Sequence, residues 1–245
     1  CVVILCETEK NESNERITTR NIAKDDASNI WVVQDNKFNL WKIDHDTRKA
    51  ALVNQSDHHQ NKLPIGNYFV ALFKDRKGFL YYQSENYLIK FNPATLDYEK
   101  VELTGRNDKW MFYRIWTFYE DDFGKIWFSL DNGEIGYWDG SKTVWFPPLE
   151  KLNGSVSFAY QFFKDQNGQT WLTTDGGLYI LDIQTGKILS RYWSGGKNEY
   201  YFPFDNLLNV YEDPDGSYWI GTNGSGLVHW NKGKPLNRQN NAELL

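Results

Sequence analysis

The chain has 245 residues and a net charge of −5, and 17% of it is aromatic, with 11 Trp. That aromatic load excludes a disordered chain, and an acidic balance with no basic cluster argues against nucleic acid as a partner. No apolar run approaches the ~20 residues of a membrane-spanning helix, and the length suits one all-β domain.

The chain begins at Cys rather than Met, which reads as a portion of something longer. Residues 1–16 divide into an apolar part, 1–6, and a polar, mostly acidic part, 7–16. One reading is the end of a signal peptide with Cys6 acylated as a lipid anchor and a charged tether after it, although Leu5 fits poorly before such a cysteine. The other is a strand that completes the last blade. Two cysteines offer neither a disulfide framework nor a zinc site.

From Ile17 the chain reads as short strands between turns. The first group, 17–52, turns at 25–29 without a glycine and carries Trp31 and Trp41 on strands. A polar connection, 54–62, contains the adjacent His58 and His59. Neighbours in a strand point to opposite faces, and no ligand set flanks them, so they read as solvated loop. The second group, 66–102, places Phe69 and Phe73 on its first strand and Tyr87 and Phe91 on its third. The third, 114–146, follows an aromatic lead-in at 107–114 and stops at Pro147 and Pro148, which cannot donate to a ladder.

The fourth group, 159–190, is the clearest. Asp165-Gln-Asn-Gly168 is turn chemistry, and Thr170-Trp-Leu-Thr-Thr174 is rich in strand formers. Asp175-Gly-Gly177 is a tight hairpin turn, and two more strands follow to residue 190. The fifth group, 207–245, repeats the pattern as far as Trp230 and ends in a tail of weak strand character.

Aligning the aromatic after each first turn gives Trp31, Tyr81, Trp127, Trp171 and Trp219, at spacings of 50, 46, 44 and 48 residues. Four strands per repeat at this period predict an all-β chain, a β-propeller of four-stranded antiparallel blades with five repeats. Five is either the full ring or part of a larger one. Each sheet must cover a face against its neighbour, which assigns the recurring aromatic to the inter-blade layer.

The phrase D-x-x-G-x-x-W-[IL]-x-T-[DN]-G-x-G-L is read best at 164–182 and 212–231, less well at 120–133, and in degenerate form at 74–82 and 24–33. It resembles the two-component regulator propeller repeat. That repeat fills the periplasmic sensor regions of hybrid two-component systems in gut Bacteroidetes. The resemblance implies a sensor in the periplasm or cell envelope, signalling through domains outside this chain. That family usually builds seven blades, and five depart from its pattern.

A propeller gathers the connections between successive blades at one end, with the turns between the middle strands of each blade. Here that end collects Tyr68, Trp110, Tyr113, Arg114, Tyr160, Tyr201 and Phe204 from the longer connections. The short turns add Asp131, Asn132, Asp175 and Asn223. Aromatic rings stack on the apolar faces of sugars while amides and carboxylates bond hydroxyls, so the expected partner is an oligosaccharide or similar polar ligand. The same aromatics also suit packing between blades, and the Asp and Asn residues suit turns.

Catalysis finds less support. Glu120-Asp121 and Glu212-Asp213 recur at the repeat turn and read as structural, and Asp213-Pro-Asp-Gly216 lacks the ligand series of a calcium loop. His229 is unique at its strand position, but no nucleophile or metal set is paired with it. The reading is a non-catalytic recognition propeller needing no cofactor. Its alternatives are a scaffold for a protein partner or homodimer, and a glycan lyase or hydrolase.

Overall fold

Runs of β-branched and aromatic residues between Asp, Asn and Gly turns form strands along the chain. The computed structural model describes residues 3–4, 17–34, 39–53, 63–64, 71–103, 113–151, 154–197 and 201–231. Among these there is no helix. Tyr68, Trp110, Cys6, His58, His59 and residues 232–245 lie outside them. The chain divides into two compact units, 1–115 and 116–245.

In the first unit, β1 (Val3–Ile4) pairs with β2 (Ile17–Lys24), the first strand of a meander that continues through β3 (Ile30–Gln34), β4 (Leu40–Ile43) and β5 (Ala50–Leu52). A second meander comprises β6 (Leu72–Lys74), β7 (Leu80–Ser84), β8 (Tyr87–Phe91) and β9 (Tyr98–Glu102). The third starts at the boundary between the units with β10 (Ile115–Glu120) and runs through β11 (Ile126–Leu130), β12 (Ile135–Trp138) and β13 (Thr143–Trp145).

A small hairpin, β14 (Glu150–Lys151) and β15 (Gly154–Ser155), precedes the fourth meander: β16 (Ala159–Lys164), β17 (Thr170–Thr174), β18 (Gly177–Asp182) and β19 (Lys187–Tyr192). β20 (Leu207–Glu212), β21 (Tyr218–Thr222) and β22 (Leu227–Trp230) form the fifth. The fold is thus all-β, with five consecutive antiparallel blades of the β-propeller type.

Burial follows position in the blade. The second strands β7, β11 and β17 are buried at every residue, because both faces of the sheet are covered there. The fourth strand β9 is mostly exposed, and β19 is exposed over its first half. Three of the recurring aromatics sit in inter-blade layers. Trp31 packs with Leu72, Ile89 and Phe91 of the next blade, and Trp127 with Phe162 and Leu181. Trp171 packs with Tyr218, Val228 and Trp230. Trp219, by contrast, is only half-buried.

Each anchor is also tied to its own turn. The indoles of Trp31, Trp127, Trp171 and Trp219 donate to Asp25, Asp121, Asp165 and Asp213 at 2.8, 2.9, 3.0 and 2.6 Å, always six residues apart. Tyr81 keeps the link through its hydroxyl, 2.8 Å from Asp75 Oδ2. In four of the turns the other carboxylate oxygen accepts the backbone N–H four residues on: Asn29, Phe79, Lys125 and Gln169. One carboxylate thus closes the turn and satisfies a buried indole, which would be costly to leave unpaired.

This chemistry predicts acid sensitivity. Burial pushes the Asp25 carboxyl up, but hydrogen bonds from Trp31 and Asn29, with the nearby Lys42 charge, outweigh it and hold it below the usual carboxylate range. Backbone and hydroxyl donors of Lys142 and Ser141 hold Asp139 down at about 2. A carboxyl depressed in the fold contributes stability above its unfolded pKa and loses it as pH falls through the folded one. Melting temperature is therefore expected to hold level above about pH 5 and to fall below about pH 4. Asp25→Asn is expected to be less stable at neutral pH and to show a shallower acid slope; thermal melts across pH check both.

Candidate ligand-binding face

Backbone and side-chain hydrogen bonds hold the middle turns to the connections that lead into the blades. In the second unit, Asp175 in the β17–β18 turn accepts the N–H groups of Ser157 and Phe158 at 2.9 and 3.2 Å and donates its own to Phe158 O at 3.0 Å. Gly177 N donates to Asp205 O at 2.7 Å, and Asn223 N to Asn206 O at 2.9 Å. In the first unit, Gln83 Nε2 donates to Tyr113 O at 2.7 Å while its Oε1 accepts Ile115 N at 2.6 Å.

At this end of the second unit three aromatic rings meet. Trp116 sits 5.1 Å from Phe158 and 6.2 Å from Tyr160, and Phe158 stacks on Tyr160 at 6.0 Å and 16°. All three are half-buried. Burial raises the Tyr160 phenol pKa and the Asp175 charge raises it further, while a hydrogen bond from Asn206 opposes both. The phenol therefore stays neutral and able to donate. Asn206 Oδ1 is buried with no hydrogen-bond partner. Close by in the fold, Arg191 donates through Nε and Nη2 to Gly176 O at 2.9 and 2.5 Å and lies 4.1 Å over the Trp193 ring.

The sequence-predicted residues divide accordingly. Tyr160 and Asp175 join this cluster. Tyr201 and Phe204 pack against the layer between the fourth and fifth blades, beside the fully buried Phe202. Asn132 Oδ1 accepts Glu134 N at 3.1 Å and so serves its own turn. Asp131 is half-buried on that turn, and the Asn223 side chain is exposed. Tyr113 and Arg114 lie half-buried on the connection clamped by Gln83. Trp116, Phe158 and Asn206 belong to the cluster and were missed. The first two flank or begin strands, where an aromatic reads as core; an Asn directly before a strand, three residues after Phe202-Pro203, was the available signal for the third.

Residues 201–224 match the family model described as two component regulator propeller. The chain carries a two component regulator propeller repeat. No curated protein matches it in sequence. Among solved structures it is similar to the extracellular domain of BT4673 from B. thetaiotaomicron, assigned as a hybrid two component system, at 20% identity and a TM-score of 0.52. The match covers 87% of this chain and 36% of that one, so the chain spans about a third of that domain. It is similar also to PorZ, a surface component of the type-IX secretion system of Porphyromonas gingivalis, at 15% identity, TM-score 0.63, covering 89% of this chain and 33% of PorZ. A third similarity is to an inactive virginiamycin B lyase from Staphylococcus aureus with quinupristin, at 9% identity, TM-score 0.63, covering 92% and 70%.

The letters of the regulator-propeller repeat now have physical roles. Its Asp and Trp form the turn-to-indole bond. The residue two after the aromatic reaches the next blade: Ser129 Oγ donates to Ala159 O at 2.7 Å and Thr173 Oγ1 to Leu208 O at 3.1 Å. The Thr after that stitches the middle turn, as Thr174 does to Gly177 O and Thr222 to Gly226 O, both at 2.8 Å. His229 serves the turn at the other end of the blade. Ser217 Oγ gives its one proton to Asp215 at 2.6 Å, so at 2.9 Å it can only accept from His229 Nε2. The imidazole stacks on Trp219 at 4.4 Å. Among the described residues no three His, Cys, Asp or Glu side chains gather as metal ligands.

Proposed function

We propose that this chain is a non-catalytic recognition propeller of a cell-envelope sensor, that it binds an oligosaccharide at the loop end of its second unit, and that it signals through domains outside this sequence. The observation that carries the reading is the cluster of Trp116, Phe158 and Tyr160 beside Asn206 and Asp175. Half-open rings offer stacking faces for a pyranose, and the neutral phenol and the amide supply directional hydrogen bonds. The regulator-propeller match and the likeness to sensor extracellular domains support the signalling role and a location outside the cytoplasm. His229 does not support the lyase alternative, because its Nε2 proton is committed to Ser217.

A thermal-shift screen against plant and host oligosaccharides tests this. Ligand at a hundred times its dissociation constant is expected to add about 2.7 kcal/mol of stability. Trp116→Ala and Tyr160→Ala are each expected to weaken binding about tenfold, or about 1.4 kcal/mol. Turnover of a hit to product would replace the sensor reading with an enzyme. A sharp melt with no hit would favour the protein-binding scaffold.

A further inference from the structure

We propose that copies of this chain dock head to tail, the leading face of the first blade in one copy covering the trailing face of the fifth blade in another. The leading face of a blade is the one that meets the blade before it, and the trailing face meets the blade after it. The layers around Trp31, Trp127 and Trp171 show what both look like when covered.

The leading face of the first blade is not covered in this way. Ile22 stands across the sheet from Val32 as Leu72 stands from Tyr82, Phe162 from Leu172 and Val210 from Ile220. Leu72, Phe162 and Val210 are all buried in inter-blade layers, whereas Ile22 is 52% exposed. On the third strand, Trp41 pairs with Val32 and holds the place of the buried Ile89, Tyr179 and Val228, yet it is only half-buried. Ile30 and Ile43, paired beside it on the same face, are half-buried as well.

The trailing face of the fifth blade departs from the pattern in the complementary sense. Leu227 holds the place of Leu40, Ile135 and Leu178, which are buried to within 1%, but is itself 36% exposed. Trp219 is half-buried where Trp31, Trp127 and Trp171 are fully buried, and Tyr211, across from it, is 59% exposed. Aromatic and aliphatic surface left open on two sheet faces is the mark of an interaction site.

The occupant follows from continuity with the interfaces the chain already builds. Each open face is one half of a recurring contact, and a second copy carries the other half. The charges at the rim agree. The last residue of a first strand reaches back to the turn of the preceding blade: Lys74 pairs with Asp26 and Lys164 with Asp122, both at 2.5 Å, and Glu212 accepts Gln166 N at 2.7 Å. In the first blade this place is held by Lys24, which is exposed. The turn that would face it is that of the fifth blade, where Asp215 is exposed one residue beyond the place of Asp26 and Asp122. A contact between two different faces is heterologous, so copies add in rows or in closed rings.

Sedimentation velocity of the full chain from about 1 to 100 μM tests the assignment, and the sedimentation coefficient is expected to rise with concentration. Ile22→Glu and Leu227→Glu are each expected to weaken association at least about tenfold while melting like the parent in dilute solution, because both side chains are exposed. If Leu227→Glu lowers the melting temperature, Tyr211→Glu on the same face takes its place. An equimolar mixture of the leading-face and trailing-face variants is expected to form a 1:1 dimer and nothing larger, since each retains the face the other has lost. The proposal is overturned by a monomer at every concentration, by either variant associating like the parent, or by a mixture that stays monomeric. Association that only Leu227→Glu abolishes would mean that the fifth blade meets its own copy instead.

Discussion

Trp171→Ala is expected to destabilise the second unit by about 3–5 kcal/mol. The indole is fully buried, stacks on Tyr218 at 4.7 Å and Tyr192 at 6.4 Å, and meets Trp230 edge-on at 5.9 Å. Removing it opens a cavity between two blades and leaves that oxygen of Asp165 with only the longer bond from the Tyr218 hydroxyl, at 3.3 Å. Trp219→Ala is the internal control. It occupies the same place in the repeat and keeps the bond to Asp213, but it is half-buried and its ring contact is with His229 of its own blade. Its loss is expected to cost roughly half as much, since the transfer and cavity terms scale with buried surface. Urea melts of the two variants check the ranking. Equal costs would mean that the turn bond, rather than inter-blade packing, sets the energy of the repeat.

That comparison marks how far the sequence was legible. Trp31, Tyr81, Trp127 and Trp171 stand out because a propeller repeats one packing problem at a fixed period, and large aromatics solve it each time. The partner of each aromatic was legible too, in the constant six-residue step back to Asp25, Asp75, Asp121, Asp165 and Asp213, but the Asp also explains the turn by itself, which hides its second duty. Tyr81 shows that a degenerate copy of the phrase keeps its chemistry, because a phenol reaches the same carboxylate.

The site was less legible. Tyr160 and Asp175 follow from topology, which sends connections and middle turns to one end. Trp116 and Phe158 do not, because whether an aromatic at the start of a first strand faces the inter-blade layer or open space is decided by neighbouring blades. The strand bulge between Ala159 and Gln161 is one such local adjustment.

Gly133→Ala is expected to couple stability to ligand binding. Gly133 ends the middle turn of the third blade with φ +78°, where a side chain costs about 1–3 kcal/mol in strain. A Cβ there would also fall 1.9 Å from Val156 O and 2.6 Å from Val156 C. These are backbone atoms, and Val156 is itself held by a 2.6 Å bond from its N–H to Leu149 O, so no rotamer change relieves the clash. The backbone at Val156 must move, and it leads directly into Ser157 and Phe158, which Asp175 holds in place for the aromatic cluster. Gly224→Ala isolates the conformational part of the effect: its φ is +90° but nothing lies within 4 Å of the added carbon. Gly224→Ala is expected to cost about 1–2 kcal/mol and to leave oligosaccharide binding intact. Gly133→Ala is expected to cost more than about 3 kcal/mol and to weaken that binding even at temperatures where the chain stays folded. Thermal melts with and without saccharide separate the two. If Gly133→Ala lowered the melting temperature yet bound as tightly as the parent, Phe158 would not be part of the site.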